Sequence, residues 1–69
     1  MSKETEFFIY LLEHYSEYKE IPSNQILKVW DENDLTEYIF DKYFIYHMET
    51  ITNAFKDIDN LLAHGEPLY

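Results

Sequence analysis

Ile51-Thr52-Asn53-Ala54-Phe55-Lys56-Asp57-Ile58-Asp59-Asn60-Leu61-Leu62-Ala63-His64 carries Ile51, Ala54, Phe55, Ile58, Leu61 and Leu62 at three- and four-residue intervals. That spacing lines one side of an α-helix, with Asn53, Lys56, Asp57, Asn60 and Ala63 on or near the other. Gly65 suits the residue that closes the helix, and Pro67 cannot continue it, so 66–69 reads as a loose tail. Asp57 and Asp59 are two apart, hence about 200° around the helix, and cannot converge on one ion. They read as solvated residues flanking a buried Ile58.

Upstream, the apolar stripe is re-phased between His47 and Thr50, where a kink or turn is expected. Before it, Leu35, Ile39, Tyr43 and Tyr46 or His47 recur at helical spacing, predicting one helix to about Tyr46. Asp34-Leu35-Thr36-Glu37 has the spacing of a capping box, and Asn33 suits a left-handed stop to the preceding helix. That preceding helix, about Asn24 to Glu32, turns Ile26, Leu27 and Trp30 inward, and Ser23 is its expected cap. Pro22 biases Ile21 out of the α region and ends a first helix from about Lys3 to Lys19. Ser2 caps this first helix, which aligns Phe7, Phe8, Leu11, Leu12 and Tyr15. One glycine and two prolines leave little chemistry for tight hairpins. The fold class is therefore all-α, a compact bundle of three to four short helices in a single domain over residues 1–65.

Sixty-nine residues bury only about 60% of their unfolded surface, so the core must be efficient. No disulfide or thiolate metal site can help, because there is no cysteine. Fourteen acidic residues against five lysines and no arginine give a net charge of −9. Binding to a phosphate backbone or an anionic membrane is disfavoured, and a basic protein is the natural complement. No apolar run reaches the roughly 18 residues of a membrane span, and the start lacks a signal-peptide stretch. The expectation is a soluble, cytoplasmic protein.

Catalysis lacks its parts. Asp31-Glu32-Asn33-Asp34 resembles the start of a calcium loop, but Leu35 and Thr36 stand where an oxygen ligand and a glycine are required. His14, His47 and His64 show no metal-ligand spacing, and His47 reads as a residue that fixes the turn after it. The serines have no nucleophile motif, and Gly65 alone cannot make a phosphate cradle. No metal, cofactor or enzymatic activity is expected.

Seven Tyr, five Phe and one Trp exceed what a few short helices can enclose. Surplus aromatics amid acids are the composition of a protein-binding surface. With Leu35, Ile39 and Tyr43 turned inward, Phe40, Lys42 and Phe44 point elsewhere, to solvent or against the first helix. The expected partner-binding set is Phe44, Phe40 and Tyr10, with Asp31, Glu32, Asp34, Glu37 and Asp41 contributing charge.

Phe7-Phe8-x-Tyr10-Leu11-Leu12-Glu13-x-Tyr15, Val29-Trp30-Asp31, Leu35-Thr36-x-x-Ile39-x-Asp41-x-Tyr43, Tyr46-His47-x-Glu49 and Asn53-Ala54-Phe55-x-Asp57-Ile58-Asp59 together resemble a family of small acidic bacterial proteins. That family has no assigned domain function and is often encoded beside a predicted toxin of ADP-ribosyltransferase fold. The resemblance spans about residues 4 to 62, and Lys42 and Phe44 depart from the pattern. It implies an antitoxin-like protein that neutralises a cognate toxin by direct contact. Charge alone also admits an acidic nucleic-acid mimic that occupies a basic groove, and the marginal size admits a homodimer.

Overall fold

The computed structural model describes residues 1–65; the tail 66–69, expected to be loose, lies outside the described residues. The described residues form five helices and no strand. They are α1 (Lys3–Lys19), α2 (Ser23–Glu32), α3 (Leu35–Asp41), α4 (Tyr43–Met48) and α5 (Ile51–His64). The all-helical class agrees with the apolar spacing, and there is one helix more than the upper expectation.

α1 begins where expected, with the Thr5 N–H donating to the Ser2 hydroxyl at 3.1 Å. Glu4 and Glu6 in the first turn face the positive end of the helix dipole. Its end is closed by Glu20 in the left-handed region, φ 57°. The N–H of Ile21 donates to Ser16 O at 3.1 Å and that of Glu20 to Glu17 O at 3.2 Å. These paired bonds satisfy carbonyls that the last turn would otherwise leave open.

Three local expectations are corrected. Ser23 does not cap α2 but is its first residue. Pro22, with φ −54° and ψ 141°, takes the cap position, and its carbonyl accepts from Gln25 and Ile26 at 3.0 and 3.1 Å. Asp34 does not act as a side-chain cap for α3, and the left-handed residue is Asp34, φ 58°, rather than Asn33. Asn33 instead extends the helical bonding, donating from its N–H and its Nδ2 to Val29 O at 3.1 and 2.8 Å. A left-handed Asp34 lacks the extended backbone from which a cap side chain reaches forward. The third correction divides the helix expected from Leu35 to Tyr46 at Lys42, whose φ −90° and ψ 10° leave the α region. What α4 rests on accounts for the break. Tyr43 meets Phe7 of α1 edge-on at 5.6 Å, and Tyr46 donates to Asp57 of α5. The expected turn after His47 is present, with Glu49 extended and Thr50 at the start of α5. Gly65, φ 74°, closes α5 by donating to Leu61 O at 2.8 Å.

The core is drawn from every helix, with α1 contributing Phe8, Leu11, Leu12 and Tyr15. Trp30, 0% exposed, is its centre, flanked by Phe8 at 5.7 Å and Tyr15 at 5.4 Å. The indole Nε1–H has no hydrogen-bond acceptor in the described structure, so this ring is held by area and shape. The radius of gyration, 11.0 Å, is about that of a compact chain of this length.

The two aspartates of α5 overturn their sequence reading. Asp57 is not solvated but 0% exposed, and it accepts from the hydroxyls of Tyr38, at 3.1 Å, and Tyr46. Asp59 is half-buried, accepting from the Tyr15 hydroxyl at 2.5 Å and pairing with Lys19 Nζ at 3.0 Å. The same separation around the helix that forbids a shared ion lets Asp57 bind α3 and α4 while Asp59 binds α1. Leu62, expected on the inner line of α5, is exposed.

Candidate protein-binding surface

Because Phe8, Leu11, Leu12 and Tyr15 turn α1 inward, the opposite side of its first half carries Glu6, Tyr10, Glu13 and His14, all exposed. Tyr10 is 51% exposed, and its ring lies 4.2 Å from that of His14 and 6.4 Å from Phe7. Phe7 carries the contact across to α4 through Tyr43. Tyr43 in turn stacks on His47 at 4.2 Å with the rings 5° from parallel, and sits 5.8 Å from Phe44. Phe44 also meets the edge of His47 at 5.8 Å. His14, Tyr10, Phe7, Tyr43, His47 and Phe44 thus form a continuous run of rings across two helices.

The outer end of this run is open. Phe44 is 75% exposed and Met48, one turn on, 77%. Phe44 and Met48 thus stand in water while Trp30 and Tyr46 are kept dry, which makes this end of the run a candidate contact surface. His47 also contributes locally, its Nδ1 lying 2.7 Å from Tyr43 O. Imidazole and phenol are thereby held as one stacked unit beside Phe44, at the turn that His47 was expected to fix.

The partner-binding set expected from the sequence is divided among several places. Tyr10 and Phe44 share the α1–α4 surface. Phe40, expected to point away from the core, is half-buried and stacks on Phe8 at 4.7 Å and 19°. It differs because α3 lies close enough to α1 for a ring beside the Leu35–Ile39 line to reach Phe8. Asp31, Asp34 and Glu37, with Thr36, line a separate hollow of about 330 Å³ at the α2–α3 connection. There the Thr36 hydroxyl donates to Asp31 at 2.5 Å. Glu32 and Asp41 are exposed. Tyr43, His47, Phe7 and Met48 belong to the ring surface and were not singled out for it. The four-residue intervals Tyr43 to His47 and Phe44 to Met48 are the signal that could have found part of it.

Elsewhere the polar groups serve the fold. Burial raises the pKa of Tyr15, with the Asp59 hydrogen bond and charge adding to it. Burial likewise raises Tyr46, and Asp57 adds to the shift through its hydrogen bond and charge. Tyr38 is raised by burial and then by the Asp57 charge. These hydroxyls are firm donors rather than acids or bases. Among the described residues no three His, Asp or Glu side chains converge as metal ligands would, and no helix is long and apolar enough to cross a membrane. A second concavity, about 620 Å³, lies among the ends of α1 and α5 and the side of α2, lined by Ile21, Val29, Trp30, Leu62 and others.

No curated protein and no solved structure matches the chain. Residues 6–64 match the family described as protein of unknown function DUF3791. The match spans α1 from Glu6, in its first turn, through the end of α5, and so includes the hydrogen bonds of Asp57 and Asp59 to tyrosines and the whole run of rings. The chain belongs to the DUF3791 family.

Proposed function

We propose that this protein is an inhibitory binding protein, an antitoxin-like partner that neutralises a cognate toxin in the cytoplasm by direct protein–protein contact and has no catalytic step of its own. The observation that carries the reading is Phe44, 75% exposed at the end of the ring surface of α1 and α4. Aromatic anchors of this kind supply much of the energy of an interface, and the net charge of −9 speeds encounter with a basic partner. The resemblance to proteins encoded beside a toxin of ADP-ribosyltransferase fold supplies the class of partner. The test is co-expression with the product of the neighbouring gene, followed by a binding titration of the purified pair at two salt concentrations. Phe44→Ala should weaken binding by about 1–3 kcal/mol and leave the fold intact.

A second reading, the acidic mimic of a nucleic acid, is favoured by the gathering of Asp31, Asp34 and Glu37 around one hollow. A mimic binds through carboxylates and loses its affinity steeply with salt, whereas an aromatic anchor keeps much of it. Normal binding by Phe44→Ala, together with near-total loss in a variant neutralised at Asp31, Glu32 and Asp34, would replace the first reading with the second.

A further inference from the structure

Two of the five lysines show how this chain handles a cation. Lys19 Nζ lies 5.3 Å from the centre of the Tyr18 ring, 5.8 Å from that of Tyr15 and 3.0 Å from the Asp59 carboxylate. Lys42 Nζ lies 5.4 Å from the Tyr38 ring. In the first case a tyrosine face and a carboxylate hold the charge together, the ring by its quadrupole and the acid by direct pairing.

The α1–α4 surface repeats the rings and carboxylates, and among the described residues no lysine pairs with its glutamates. Glu6 and Glu13 stand four before and three after Tyr10, on the same side of α1, and all three are exposed. Tyr43, His47 and Phe44 continue the aromatic surface across α4. Among the described residues no lysine lies over any of these rings, and the sequence has no arginine to supply one.

Resting on the protein-binding reading above, we infer that this surface selects a partner that presents an arginine. The guanidinium lies against Tyr10 between Glu6 and Glu13, next to an apolar recess that receives Phe44. Charge complementarity favours a basic partner of either type, but geometry favours arginine. A planar guanidinium stacks on a ring while its edge N–H groups pair with carboxylates, and it gives up less hydration than an ammonium does. Lysine can meet a ring and a carboxylate together, as Lys19 does, but it offers a point charge with neither the planar stacking nor the forked pairing of a guanidinium.

The experiment is an NMR titration of the full chain with two capped synthetic peptides of equal length and charge, one with arginines flanking a leucine and one with lysines. A neutral peptide with the same leucine is the third probe. The arginine peptide should move the Tyr10 and Phe44 ring resonances and bind about two- to fivefold more tightly than the lysine peptide, as an exposed cation–π contact allows. Tyr10→Leu, which keeps apolar area but removes the ring, should abolish that preference while circular dichroism stays unchanged. Equal affinities for the two basic peptides, no ring shifts with either, or shifts centred on Asp31, Asp34 and Glu37 would overturn the inference. If the neutral peptide shifts the same rings as strongly, guanidinium selection fails and the docking surface stands. If Phe44→Ala also leaves binding to the product of the neighbouring gene unaltered, the aromatic-anchor reading fails with it.

Discussion

Tyr46 and Phe44 are two residues apart on α4 and point about 200° apart around it. Tyr46 is buried against α5 with its hydroxyl on Asp57, whereas Phe44 is open to solvent beside Tyr43 and His47. One short helix therefore separates two uses of aromatic residues. On the inner side the ring is bulk with a polar handle, and the handle is answered by a buried acid. On the outer side the ring has no polar group and no apolar cover. Composition therefore cannot assign a role to an aromatic residue here; what stands opposite the ring does.

That contrast can be broken most severely at the centre of the inner side. Trp30→Ala should cost about 3–5 kcal/mol, a large share of the stability of so small a domain. Urea denaturation followed by circular dichroism measures it, and an unchanged midpoint would show that the indole is not the centre of the core. Asp57→Ala comes next. It leaves the hydroxyls of Tyr38 and Tyr46 without this acceptor, a loss of about 2–3 kcal/mol, and Asp57→Asn should recover part of it. A loss under about 0.5 kcal/mol, the range of an ordinary surface change, would remove the distinction between the two sides of α4.

Alkaline pH probes the same inner hydroxyls. Burial and the neighbouring acids raise the folded-state pKa of Tyr15, Tyr38 and Tyr46 above the usual value, which is about 10 for an unfolded chain. The folded protein therefore holds protons that the unfolded chain releases. Their contribution to stability is complete below about pH 10 and is lost as the pH rises beyond it toward the folded values. The urea midpoint should be level from pH 8 to 9.5 and fall above pH 10, on the order set by that reference pKa. Tyr46→Phe should flatten the fall, and an equal slope in that variant would remove Tyr46 from the effect.

The smallest effect on stability belongs to the outer side. Phe44→Ala should move the unfolding free energy by no more than about 0.5 kcal/mol. Its consequence is expected in partner binding alone, so a variant that both melts early and binds poorly would assign Phe44 to the core.

What depends on neighbours within a turn or two was legible from residue order alone. Helical spacing and scarce turn residues were enough for the all-helical class, for the limits of α1, for the cap at Ser2 and for the closing role of Gly65. They also sufficed for the burial of Trp30 and the outward position of Phe44, because a stripe at three- and four-residue intervals states which side of a helix is apolar. What that stripe cannot state is what lies across from it. Asp57 looked like a solvent residue because its local company is polar. Only the approach of Tyr38 and Tyr46, nineteen and eleven residues away, makes its burial favourable. The break at Lys42, the lodging of Phe40 on Phe8, and the meeting of Tyr10 with Phe44 through Phe7 and Tyr43 were likewise decided by how the helices pack. The reason is physical: local spacing sets the direction of each side chain around its own axis, while the placing of one axis against another depends on long-range contacts that form together when the core closes.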